Sequence, residues 1–439
     1  MRKYLFVTLL IALTISGCSG KPSQVTPSNE IVIWHWLSDR SDAFDALARK
    51  YKIETGVDIR FELYTPIHIY TSKVRAAAQA GKLPDIYGVL MEMKDFASLI
   101  DAGHVADLTS YMEENNAAWK NSFFKGGLIM DTFTDGNEYG VKPGIYGVPI
   151  DINNIQLIYN LSLLKKAGWD TSKLPSTWPE FIALGDMLKK AGIQGLVSGW
   201  GEPWMIHCFA DNMAWNIMGK DKILATVRGQ VPYTDPDWVK VFTLFKEMKD
   251  HGLLSDGIVT MVNKEAEQAF SNERAAIAFN GSWGVNVYDS MNPDLKFAVA
   301  MPPKVDPSRP MYIWGGTTSL MVNDRSPLKK DAVKFLRWLT ECNQQTVIAT
   351  ETRNIPSAKA CVGALEGPIM EFTAGMENVV HPRLLPVEEF PLVTEAFDKG
   401  IQSIIIGEAT PETVARDVQD MKEREIKRAE RFKAAGAKR

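Results

Sequence analysis

Six of the chain's 12 tryptophans, Trp34, Trp36, Trp200, Trp204, Trp283 and Trp314, fall near expected strand ends or loops. Four carboxylates, Asp39, Glu92, Asp151 and Glu202, and the amide Asn153 accompany them in the sequence. Flat aromatic faces beside hydrogen-bonding acids and amides suit a pyranose, which carries apolar C–H faces and a rim of hydroxyls. Trp34 sits inside an apolar strand and is expected in the core, because large aromatics chiefly fill interiors. The same inventory admits two other chemistries. A glycoside hydrolase needs two carboxylates held about 5 to 9 Å apart, one of them with a raised pKa, and no spacing shows such a pair. A polyamine receptor cages a cation with carboxylates beside aromatics, an arrangement that Glu92, Asp151 and Glu202 do not exclude. The number of tryptophans favours carbohydrate.

His35, His68, His104, His207, His251 and His381 have no metal-ligand spacing. A zinc-binding helix signature, a phosphate loop and a nucleophile elbow are all lacking. The sequence therefore assigns no catalytic residue, no metal and no cofactor.

The chain opens with Arg2 and Lys3, an apolar run from Tyr4 to Ile15, then Ser16, Gly17 and Cys18. That order is a secretory leader with a lipoprotein-type cleavage box over residues 1–17, its apolar centre too short to span a bilayer. Residues 18–29 are small and polar with Pro22 and Pro27, and read as a tether. Arg2 and Lys3 leave with the leader, so the formal charge falls from −4 to −6. An acidic balance without a basic stripe argues against nucleic acid as a partner. Cys208, Cys342 and Cys361 are far apart and odd in number, which argues against a disulfide framework while permitting one pair and a buried remaining thiol.

The remainder exceeds 400 residues, more than one hydrophobic core usually serves, so two lobes of roughly 150 to 200 residues each are expected. Ile31 to Trp36 reads as a strand, Asp42 to Thr55 as a helix stopped by Gly56, and Val57 to Leu63 as a second strand. A helix from Ile67 to Ala80 ends at Gly81, and a strand follows over Ile86 to Leu90. Alternation of this kind predicts an α/β sheet with right-handed crossovers. Further helices are expected over Thr177 to Ala191, Asp237 to Asp250, Val262 to Ser271, Leu328 to Glu341 and Pro411 to Lys433. Further strands are expected over Ala275 to Asn280, Leu295 to Ala300 and Thr318 to Val322. The basic end of the last helix reads as a solvated face.

Several segments resemble one family in the right order. Ile31 to Trp36 with Glu54 to Val57, then Ala80 to Ile86, are similar to the first lobe of extracellular solute-binding proteins of the maltose-binding class. Tyr146 to Asn160, YGVPIDINNIQLIYN, resembles their crossover between lobes, Ala278 to Trp283 their second-lobe signature, Gly315 and Gly316 the return crossover, and Asn354 to Pro356 a late loop. The resemblance implies a two-lobed fold of the periplasmic-binding type with a cleft that closes on ligand. It places the N-terminal lobe at 30–151 plus 317–362 and the C-terminal lobe at 152–316 plus 363–439. It also implies a monomeric, non-enzymatic receptor outside the cytoplasm, held to the membrane by acylation of Cys18, which delivers a sugar to the permease of an ATP-driven importer.

Residue roles follow from the same resemblance. Trp283 matches a tryptophan that stacks on sugar, and Gly201 to Trp204 resembles a loop in which an acid and an aromatic touch ligand, making Glu202 an acceptor and Trp204 a platform. Aligning Leu157 to Asn160 puts Asn153 where the family has an acidic contact, with Asp151 two residues earlier; either is a ligand contact or a hinge cap. Trp36, Trp314, Glu92 and Asp39 complete the candidate set, and Gly315 with Gly316 are the candidate hinge, because glycine crosses dihedral regions cheaply.

Overall fold

The computed structural model describes residues 30–89, 93–352 and 354–436. The leader, Cys18, the tether and Glu92 lie outside them.

The first strand, Glu30–His35, alternates half-buried and buried side chains, so Ile31, Ile33 and His35 enter the core while Trp34 faces the other way. It pairs in parallel with Asp58–Leu63 on one side and Ile86–Gly88 on the other. Helix Ser41–Thr55 covers the sheet through Phe44, Leu47 and Tyr51, spaced three and four apart as one helical face requires. Gly56 ends it with φ 77°, in the left-handed region that glycine adopts without a Cβ clash. The strand expected over Ile86 to Leu90 ends at Gly88.

Two strands run through both lobes. In Val148–Asn160, residues 148–154 pair antiparallel with the strand Ile313–Val322, whereas residues 155–159 pair with Ile277–Gly281. The strand Ile313–Val322 exchanges partners likewise: Ile313 and Trp314 pair with Val379 and Val380, Gly315 to Leu320 with the long strand, and Leu320 to Val322 with Ile86–Gly88. One ten-stranded mixed sheet results, curling from the first lobe into the second. The first lobe's core gathers Ile31, Ile33, Phe44, Val322, Phe335 and Leu336. The second packs Leu157, Phe209, Phe242, Phe279 and Ile401. Asn160 closes the long strand and caps helix Leu161–Ala167, its side chain accepting from Leu163 N at 2.9 Å.

The fold departs from the sequence expectation at several points. The strand expected over Thr318 to Val322 begins at Ile313, five residues earlier, because Gly315 and Gly316 lie inside extended structure. The helix expected over Leu328 to Glu341 is Lys329–Leu339, followed by a separate helix Cys342–Thr352. Two long helices had no sequence expectation, Pro203–Val227 and Pro391–Ile406. In the first, Met205, Cys208, Phe209, Ala214, Trp215 and Met218 are buried on several faces, so it carries no amphipathic stripe to betray its period. Cys342 and Cys361 form a disulfide with their Cα atoms 5.1 Å apart, and Cys208 is buried. Closing a loop of 19 residues stabilises by about 3 kcal/mol on the chain-entropy account.

Among the described residues no helix is long and apolar enough to cross a membrane, and no group of three or more His, Cys, Asp or Glu is placed to hold a metal ion.

Candidate functional site

Ligands of α/β sheets collect at the carboxyl ends of strands, where the structure gathers several of the expected residues. Trp283 follows strand Ile277–Gly281 and immediately precedes helix Gly284–Met291. Trp204 lies in the first turn of helix Pro203–Val227, with Glu202 at its N-cap. Trp314 projects from the return strand. The ring of Trp204 lies 6.4 Å from that of Trp283 and 6.4 Å from that of Trp314, so three indoles from distant segments form one cluster. Trp204 is 43% exposed, and the face it offers is open to solvent.

Glu202 orients this cluster. One carboxylate oxygen accepts from Trp204 Nε1 at 3.1 Å and the other from Asn263 N at 3.4 Å. A carboxylate has about four lone-pair sites, so acceptor capacity remains for a ligand hydroxyl. Behind it, Glu267 accepts from Asn263 Nδ2 at 2.9 Å and Asn280 Nδ2 at 3.0 Å, and Asn280 also donates to Tyr288 Oη at 2.9 Å. Burial pushes the Glu267 carboxyl up, against the two amide hydrogen bonds that favour its charged form.

Trp36 belongs to the first lobe, its ring 5.1 Å from Tyr70 and lying over the backbone of Gly88. Asp39 lies in the short turn Ser38–Arg40 that follows the first strand. Asn153 sits on the long strand opposite Gly316 and is half-buried.

Three expectations change in detail. Asp151 is 1% exposed and lies 2.8 Å from the buried Arg40 guanidinium, while Thr318 N donates to its other oxygen at 3.2 Å. Its carboxylate is therefore engaged inside the protein between the first strand's exit and the crossing strands. Gly315 and Gly316 are both extended, with no positive φ. Close approach is what requires glycine at 315, where a Cβ would meet Asn153 O at 3.0 Å; at 316 the nearest atom is 3.6 Å away. Trp34 is half-buried instead of core, packed edge-on to Tyr64 at 5.4 Å with the Lys73 ammonium 4.2 Å above its ring, because strand alternation puts residue 34 on the more open face. Trp200, by contrast, is fully buried between Phe209 and Phe245.

Tyr70, Gly88, Asn263, Glu267 and His381 escaped the sequence reading. His381 lies 4.6 Å from Trp314, its ring tilted by 46° to the indole, and lines a cavity of about 60 Å³ behind it, walled by Trp215, Tyr233, Trp238 and Phe397. That volume holds a few waters and no sugar ring. On its wall, His207 Nδ1 lies 3.1 Å from Asp398 and Nε2 3.6 Å from Asp211. Burial alone would lower the His207 pKa, but the carboxylates of Asp211 and Asp398, with Glu389 beyond, overcome this and raise it to about 9. Burial pushes Asp211 and Asp398 up as well.

A histidine whose folded pKa exceeds its ordinary 6.5 contributes its full stability below that value and loses it as pH rises through about 9. The melting temperature is accordingly expected to fall between pH 6.5 and 9, and His207→Gln to flatten that slope in a series of thermal scans.

Two α/β lobes joined by shared strands, with indoles at the strand ends, define a binding protein that holds a small solute. Residues 46–368 match the family described as bacterial extracellular solute-binding protein, and the chain belongs to it. These are binding proteins that work outside the cytoplasm and perform no chemistry on the solute. The chain is 21% identical over 347 residues to the multiple sugar-binding protein of Streptococcus mutans serotype c, covering 75% of this chain and 76% of that one. It is 24% identical over 380 residues to the melibiose/raffinose/stachyose-binding protein MelE of Bacillus subtilis, covering 82% of each. A solved chitin oligosaccharide binding protein superposes with a TM-score of 0.70 at 21% identity, over 90% of this chain and 98% of that one.

Proposed function

We propose that the chain is the receptor subunit of an ATP-driven importer, capturing an oligosaccharide between its lobes and passing it to a membrane permease. The cluster of Trp204, Trp283 and Trp314 around Glu202 carries this reading, since it supplies stacking faces and a hydroxyl acceptor from one lobe. Trp36 adds a face from the other lobe. Relatives whose names refer to sugars support the ligand class, and relatives named as ABC transporter extracellular-binding proteins support the importer. The lobes in this proposal are 30–151 with 317–362 and 152–316 with 363–439, and the exchange of strand partners near Asn154 and Trp314 supports that division. Cys18 is proposed to carry the lipid anchor. Lobe closure shifts the population toward the closed state by the difference in ligand affinity between states. Contacts between the lobes exist already at one edge of the cleft: Arg228 pairs with Glu138 at 3.0 Å, and Glu138 N donates to Pro386 O at 3.0 Å.

Thermal shift on the form beginning at Ser19, against mono- and oligosaccharides and polyamines, followed by calorimetry, tests the proposal. One-to-one saturable binding of an oligosaccharide without turnover is the expected result. Binding of a polyamine alone would overturn the ligand class.

A further inference from the structure

Trp36 and Trp283 share a feature that the other candidate platforms lack. The six-membered ring of Trp283 lies directly on the backbone of Gly281: a Cβ there would stand 2.1 Å from Cζ3, 2.2 Å from Cη2 and 2.3 Å from Cε3. In the first lobe Trp36 lies on Gly88 in the same way, with Cζ3 2.1 Å and Cη2 2.7 Å from the corresponding position. Carbon atoms in contact sit about 3.5 to 4.0 Å apart, so only glycine is compatible with either indole as placed. Neither glycine has a positive φ, so backbone freedom is not the reason for it.

Both glycines end a strand, Ile86–Gly88 and Ile277–Gly281, and both are held in place. Tyr70 Oη donates to Gly88 O and accepts from Gly88 N, each at 2.8 Å, while its ring borders Trp36. Gly281 N donates to Asn280 Oδ1 at 2.9 Å, and the next residue, Ser282, donates through its N to Asn154 O on the crossing strand at 2.9 Å.

We infer that Gly88 and Gly281 are positioning residues for ligand recognition, each letting an indole approach a strand end more closely than any side chain would allow and so setting the placement of one platform per lobe. The inference rests on the carbohydrate reading of the cleft. The obstructing atoms are ring atoms of half-buried side chains and not backbone, so an added methyl group is expected to displace the ring before the strand.

Gly281→Ala and Gly88→Ala are therefore to be made alone and in the backgrounds Trp283→Phe and Trp36→Phe, because a phenyl ring stops short of the indole's outer edge. Raffinose, maltotriose, chitotriose and xylotriose serve as calorimetric probes. Gly281→Ala is expected to weaken binding about tenfold in the natural background with little change in melting temperature, and about twofold or less in the Trp283→Phe background. Equal losses in both backgrounds, or unchanged affinity in the single variant, would overturn the inference. Near-ultraviolet circular dichroism of the ligand-free protein reads the ring itself, and each alanine is expected to alter the indole bands only where the tryptophan is present. Unaltered bands sink the inference whether or not a probe binds. Altered bands with no probe bound leave it standing and fault the carbohydrate reading alone.

Discussion

Trp283→Ala is expected to weaken oligosaccharide binding by roughly 30- to 100-fold, the effect of truncating a central aromatic contact worth about 2 to 3 kcal/mol. The fold should largely tolerate it, because Trp283 is half-buried at the edge of the second-lobe core, with one part of its ring on the backbone of Gly281. Trp200→Ala provides the contrast. That indole is fully buried between Phe209 and Phe245, so its removal should cost about 3 to 5 kcal/mol of stability whatever its effect on affinity. Calorimetry and urea denaturation on the two variants separate platform from core. Unchanged affinity in Trp283→Ala would remove this residue from the site and with it the centre of the proposed cleft.

Asp151→Asn is expected to destabilise the protein by about 3 to 5 kcal/mol, because it removes one charge of a closely shielded buried ion pair. The pair is closely shielded, with side chains of Arg40 and Asp151 only 6% and 1% exposed at 2.8 Å. It ties the turn after the first strand to the long crossing strand, close to where strand partners change. Urea denaturation measures the loss. A variant of natural stability with markedly reduced affinity for the sugar would show that Asp151 serves the ligand and not the frame.

Legibility in the sequence followed the range of the forces involved. The first strand, its covering helix and the Gly56 stop were readable because alternation, helical spacing and the left-handed glycine are properties of neighbouring residues. Helix Pro203–Val227 was not, since burial on several faces erases the period that would reveal it. The pairing of Cys342 with Cys361 could be permitted but not assigned from an odd count of distant cysteines.

The same division runs through the site. The sequence by itself determined the α/β character, the family resemblance, and the residue types offered for the proposed site, because these rest on local patterns and on short segments such as Asn280 to Trp283. Only the tertiary structure decided which tryptophans meet. It gathered Trp204, Trp283 and Trp314 from three separate segments, sent Trp200 into the core, and brought Trp34 out beneath Lys73. It also committed Asp151 to Arg40, more than 100 residues away in the chain, and laid two indoles on Gly88 and Gly281. Those choices depend on strand register and on which face each side chain takes, and register is set by contacts between residues that are remote in sequence.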